Sequence, residues 1–331
     1  MKSNHLILFL FLSILLIILF LASLIFGSVH IPLQDIFATF TGNRTDVITS
    51  EILLNLRLPK AITAVLTGAS LSVAGLMMQT LFRNPLADSS ILGISSGASL
   101  GVALVTLVVG KHIMTYFGGN MVVLSAAFAG AMMVLIIIAL LSQRVSTTTL
   151  LLIGVMLSFS VSAVTGMLQF FASKEGLQSF VIWGMGSFKN VTLSQSLLSL
   201  ATAAILVIVL FFQSKGLNVF TIGESYTLNS GVKIRRLTTS TILIAGGLTA
   251  ITTAFCGPIA FIGLMTPHFS RMLFKTFNHR LLIFACILIG MSLTLLCNVI
   301  ATLPGSESIL PINAITSIIG APVVIFLILK K

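Results

Sequence analysis

Side chains that could do chemistry are sparse in this 331-residue chain, and their spacing argues against catalysis. Cys256, Cys286 and Cys297 lie in apolar context without a C-x-x-C spacing, which predicts small buried side chains rather than a disulfide framework or a metal site. His268 has the chemistry of a proton relay, but the apolar runs hold no Asp or Glu to partner it, so it reads as a capping or packing residue. A Gly-Lys-Ser/Thr triplet is absent, and with it a P-loop. No Ser/His or paired-Asp constellation suits an intramembrane enzyme. The expectation is a chain with no catalytic residue, no metal site and no directly bound cofactor.

The informative polar residues fall in short islands. Arg57-Leu58-Pro59-Lys60 puts two cations just before an apolar run, suited to interfacial anchoring or to docking acidic groups of a partner. Arg83-Asn84-Pro85-Leu86-Ala87-Asp88-Ser89-Ser90 separates two apolar runs. There Asn84 and Pro85 suit a helix start, and Asp88, Ser89 or Ser90 a cap. Gly257-Pro258 and Pro267-His268 are expected to break helix twice at membrane depth, which is tolerated only where protein or a water-filled cavity covers the backbone. Gly93, Gly97 and Gly101 form a G-x-x-x-G-x-x-x-G ridge, with Gly68, Ser72 and Gly75 a looser one; such ridges let helices pack closely.

The elements that position these islands are set by composition. Apolar residues make up 57% of the chain and charged residues 8%, against about a quarter in soluble domains. Repeated apolar runs of about 20 residues can each cross the hydrocarbon core, and without inside/outside alternation they must be helices. An all-α polytopic membrane protein follows, a single transmembrane domain over 1–331 with about ten spans. The spans are placed near 6–28, 61–81, 91–110, 120–142, 149–171, 193–213, 238–256, 258–274, 281–302 and 313–329. The first run lacks a clear cleavage site and reads as a retained span. With both termini in the cytoplasm, twelve of the 18 Lys and Arg fall inside, including Arg83, Lys233 and Arg235, and six outside, namely Arg44, Arg57, Lys60, Lys111, Lys174 and Lys189. That bias supports the orientation in a cytoplasmic membrane, and it explains a net charge of +11 without a nucleic-acid partner. Residues 214–237 form the longest cytoplasmic stretch.

The same islands resemble the permease subunits of type II ABC importers for iron–siderophores, haem and cobalamin, the FecCD-like or BtuC-like family. The resemblance rests on Arg57-Leu58-Pro59-Lys60, Gly68-Ala69 through Gly75 and Gln79, Arg83-Asn84-Pro85-Leu86-Ala87-Asp88 with Leu92-Gly93, and Gly97-Ala98. It continues through Trp183-Gly184-Met185-Gly186-Ser187, Gly231-Val232, Gly257-Pro258-Ile259, Pro267-His268, His279-Arg280, Leu310-Pro311 and Gly320-Ala321-Pro322.

The resemblance implies a BtuC-like fold in which two permease subunits line a pathway for an iron chelate, with a ferric siderophore or haem favoured. An extracellular substrate-binding lipoprotein delivers the cargo, docking at Arg57 and Lys60. Cytoplasmic ATPase subunits use ATP and Mg²⁺ and engage the coupling-helix loop 214–237. In that loop Ile222, Tyr226 and Val232 would be apolar anchors, with Gly223, Gly231, Lys233 and Arg235 shaping the turns and rim. The chain departs from the pattern at its outer edge. Thr302 stands where a basic residue is usual, Asn298 where Asp is common, and Ile309-Leu310-Pro311-Ile312-Asn313 replaces Glu-Leu-Pro-x-Gly. The missing cation favours a heterodimer with a different permease over a homodimer. The competing reading is a secondary carrier or channel working without ATP. The lack of carboxylates within the spans counts against it.

Overall fold

The apolar runs fold into helices whose ends are marked by the polar islands. The computed structural model describes residues 3–27, 31–41, 46–109, 119–302 and 310–329; Arg44, Lys111 and Ile309 lie outside that range. In order, the helices are α1 Ser3–Ile25, α2 Leu33–Thr41, α3 Val47–Leu81, α4 Ile94–Val109, α5 Gly119–Leu141, α6 Thr147–Phe170, α7 Lys174–Gly184, α8 Leu193–Ile222, α9 Glu224–Asn229, α10 Ile234–Cys256, α11 Ile262–Phe274, α12 His279–Ala301 and α13 Ile312–Leu329. No strand occurs among the described residues. Seven helices are long and apolar enough to cross a membrane, and α4 and α13 are shorter apolar helices. Side chains close several N-termini. Ser146 Oγ accepts from Thr149 N at 3.2 Å, Ser173 Oγ from Gly176 N at 3.2 Å, and Asn278 Oδ1 from Arg280 N at 3.0 Å. Thr192 and Gln195 form a reciprocal capping box on α8.

α3 is the hub. Of its most apolar window 83% is buried, and it packs against α8, α10, α11 and α12. The small-residue ridges are the means. A Cβ on Gly68 would strike the Gly290 carbonyl of α12, and one on Gly75 the Gly263 carbonyl of α11. Gly97 of α4 and Gly130 of α5 are matched in the same way. Gly93 is not on the ridge: it sits at φ 81° between a 3₁₀ turn, Ser89–Leu92, and α4. By contrast, only 17% of the most apolar stretch of α6 is buried, leaving Met156, Phe159, Met167 and Phe170 exposed.

Four sequence expectations shift. Residues 47–57, read as connection, are helix continuous with α3 through a π-helical turn at Ile52–Arg57. α8 runs on to Ile222 rather than ending near 213, because Leu217 and Phe220 are fully buried against the core and hold the extra turns. The Gly257-Pro258 break is present, but Pro267 lies inside α11. Proline there leaves the carbonyl four residues earlier without its partner. That residue is Gly263, which has no Cβ, and Gln79 Nε2 approaches the freed Gly263 oxygen at 3.5 Å and the neighbouring Leu264 oxygen at 3.2 Å. Asn84 does not cap a helix. Its Oδ1 accepts from Leu86 N at 2.9 Å and makes a turn, while Asp88 caps the 3₁₀ segment.

Candidate functional site

Two ends of the bundle collect the singled-out residues. At the first, α8 reverses at Gly223 (φ 152°) into the six-residue α9, and the chain turns again at Gly231 (φ 74°) before α10. Both backbones favour glycine. Thr227 is fully buried and fixes α9 to its base, its hydroxyl donating to Gly223 O at 2.6 Å. Three apolar side chains at this end stay in the open: Ile222 is 67% exposed, Tyr226 54% and Leu228 64%. Val232, expected beside them, is instead half-buried against the core, and Lys233 and Arg235 are exposed. Leu228 and Thr227 carry no signal in the sequence, because a six-residue helix is too short to show periodicity.

Beneath α9 lies a web of polar contacts between helices. Arg83, at φ 47°, stacks its guanidinium 5.0 Å from the Phe220 ring and donates to Phe220 O at 3.3 Å, tying the turn after α3 to the end of α8. Asn218 Oδ1 accepts from His279 N at 2.8 Å, and the His279 ring bridges Asn218 and Thr80, each at 2.8 Å. Arg271 donates to Gln79 Oε1 at 2.6 Å, and His268 Nε2 lies 3.0 Å from Pro85 O. Asp88 is buried. Its Oδ1 accepts from Ser89 N at 2.8 Å and its Oδ2 from the Ser90 hydroxyl at 3.0 Å, and it packs against Gly263. Burial pushes its carboxyl above the usual range, and the bonds from Ser89 and Ser90 pull the other way.

The opposite end is built differently. The π turn aims Arg57 inward. It is 7% exposed and donates to Leu24 O and Ile25 O at 2.6 and 2.7 Å, closing the C-terminus of α1. The expected docking cation is therefore occupied as a cap. Lys60 instead lines, with the exposed Lys189, a cavity of about 520 Å³ that also includes Trp183, Asn120, Asn190 and Phe255. The Trp183–Ser187 motif wraps the Gly257 break: a Cβ at Gly257 (φ 75°) would strike Trp183 O, and Ser187 N donates to Cys256 O at 2.8 Å. Asn313 joins this knot, its Oδ1 accepting from Ala260 N at 3.1 Å. Thr302 turns its hydroxyl back to Asn298 O at 3.0 Å, and Asn298 donates to Ser23 Oγ at 2.8 Å. The three cysteines are free and buried, and no group of His, Cys, Asp and Glu among the described residues could hold a metal.

The model of the FecCD transport family matches residues 15–330. The chain belongs to that family. This FecCD-family chain is 32% identical over 330 residues to the hemin transport permease HmuU of Yersinia pestis, covering 97% of the one and 95% of the other. It is 34% identical over 319 residues to the vitamin B12 import permease BtuC of Shigella boydii, covering 96% and 94%. A solved inward-facing ABC transporter assigned to the metal-chelate type superposes with a TM-score of 0.86 at 29% identity, covering 98% of this chain and 99% of that one. The FecCD family fixes the architecture as a BtuC-like permease fold and the broad role as transport by a helical membrane protein.

Proposed function

We propose that this chain is the membrane-spanning permease subunit of an ATP-driven ABC importer that carries an iron chelate into the cell. One observation carries the reading: α9 is a short helix with buried footing and exposed apolar Ile222, Tyr226 and Leu228, the form of a part inserted into another protein. Two cytoplasmic ATPase subunits receive it, and they, not this chain, bind ATP and Mg²⁺. Movement of α9 passes to the spans through Thr227, Arg83–Phe220 and the Asn218–His279–Thr80 bridge.

Both termini and α9 then face the cytoplasm, in keeping with the positive-inside bias, and the Lys60 cavity faces outward. A substrate-binding lipoprotein docks there, with the half-buried Lys60 and the exposed Lys189 as the cations now that Arg57 closes α1. A second permease completes the pathway beside the scarcely buried α6. A different permease is favoured over another copy, because Thr302 brings no charge to the docking edge. The cargo class comes from relatives whose names specify hemin, vitamin B12 and iron chelatin. A ferric siderophore or haem fits best. Uptake of labelled chelate into proteoliposomes holding this chain, its partner permease and the ATPase should require internal ATP. Uptake that persisted without the ATPase would make the protein a secondary carrier.

A further inference from the structure

A cavity of about 450 Å³ opens between the end of α5 and the start of α10, lined by Gln143, Arg235, Arg236, Thr239, Ser240 and Leu243. We infer that it binds the phosphate of an anionic membrane lipid. Arg235 and Arg236 are exposed and make no hydrogen bond or ion pair with the described residues. Two planar forks with no carboxylate bonded to them among the described residues are matched to phosphate oxygens. The hydroxyls beside the arginines are held in place: Thr239 Oγ1 lies 2.9 Å from Ser142 Oγ, and Ser240 Oγ donates to Gln213 Oε1 at 3.0 Å.

The cavity's floor separates a lipid from a free anion. Leu243 is 42% exposed and lies two turns beyond Arg236, about 10 Å deeper along the helix. The flanking helices are apolar and exposed at Leu140 of α5 and Val209 of α8. Cations above an exposed apolar wall match a phosphate head with an acyl chain below it. The site also adjoins α9, because Arg235 follows the Gly231 turn by four residues. A bound lipid would pin the start of α10 and make the α9 segment sensitive to membrane charge. The inference stands apart from the importer reading, since lipid binding requires neither ATPase nor cargo.

The test uses the full-length chain in nanodiscs, with native mass spectrometry of lipid retained after delipidation. Phosphatidylglycerol should be retained over phosphatidylcholine, and the R235Q/R236Q double variant should weaken that selectivity roughly tenfold, while Lys275→Gln at the same end keeps it. A photoactivatable phosphatidylglycerol should crosslink wild-type protein within the first turns of α10, which tests the site without any substitution. Equal retention by wild type and double variant, or crosslinks elsewhere, would overturn the proposal. So would protection by glycerol phosphate or inorganic phosphate as effective as by the lipid, which would assign a free anion. Loss of ATPase binding by the double variant in neutral lipid, with lipid selectivity intact, would give the arginines to the protein partner instead.

Discussion

At the α9 end, polar side chains from α3, α8, α11 and α12 hydrogen-bond to one another, through Asn218, His279, Thr80, Gln79 and Arg271. At the Lys60 end, α3 and α4 both relax into π-helical turns, at Ile52–Arg57 and Leu104–Val109, around an open cavity. A web of bonds across four helices moves as one body. A π turn and a cavity give each helix end its own freedom. The pairing suits a protein pushed at one end and reshaped at the other. Substitutions that treat the ends alike should therefore have unlike effects.

The largest contrast is between two glycines. Gly75→Leu would drive α3 off the Gly263 carbonyl of α11, and overpacking of a backbone contact costs several kcal/mol, about 3 or more. Gly184, at the end of α7, has open space where a Cβ would lie, with no neighbouring atom within 4 Å. Gly184→Ala should leave the melting temperature in detergent unchanged, while Gly75→Leu should abolish folded protein. Folded, monodisperse Gly75→Leu would show that the hub tolerates separation.

The next contrast concerns how far damage spreads. Arg57→Met removes charged bonds to two carbonyls at the end of α1, at a cost of about 2 kcal/mol. Hydrogen exchange should rise around residues 22–26 and little elsewhere, since only 11% of the window of α1 is buried. Asn218→Ala orphans His279 N–H at a cost of about 1–3 kcal/mol. Its exchange should rise in α3, α8 and α12 together. Spread confined to α8 would refute the web.

The two ends were also unequally legible from sequence. Apolar runs located the spanning helices, and Gly257-Pro258 located a break, because bilayer length and missing donors act through local sequence. The direction of Arg57 was hidden, since one π turn decides whether it points to a partner or to α1. Lys189 was equally hidden as a neighbour of Lys60: the two meet only because the Trp183–Ser187 knot folds onto the break. The tolerated Pro267 depended on Gly263 and on Gln79 from another helix. Side chains whose role is set by a different helix left no mark in their own segment.

Asp88 makes a smaller, pH-dependent contrast. Its folded pKa is raised above the unfolded value near 4, so the folded state binds more protons between the two. Stability from this group is complete below the unfolded value and is lost as pH rises through the folded one. Asp88→Asn should flatten that fall in thermal melts taken from pH 4 upward. An unchanged slope would assign the pH dependence to another group.

The smallest effects on stability belong to exposed groups and to the half-buried Lys60, where the two ends should differ by partner rather than by fold. Tyr226→Ala with Leu228→Ala, and Lys60→Gln with Lys189→Gln, should each shift stability by about 0.5 kcal/mol or less. The first pair should abolish stimulation of the ATPase while leaving association with the binding lipoprotein intact. The second should do the reverse. It should slow that association a few-fold and remove much of its salt dependence, because charges at the rim of an interface act on encounter rates more than on the final complex. Surface plasmon resonance at two ionic strengths separates the outcomes. If the lysine pair left the on-rate and its salt dependence unchanged, the cavity end would lose its docking role, and the comparison would reduce to a rigid end and a merely loose one.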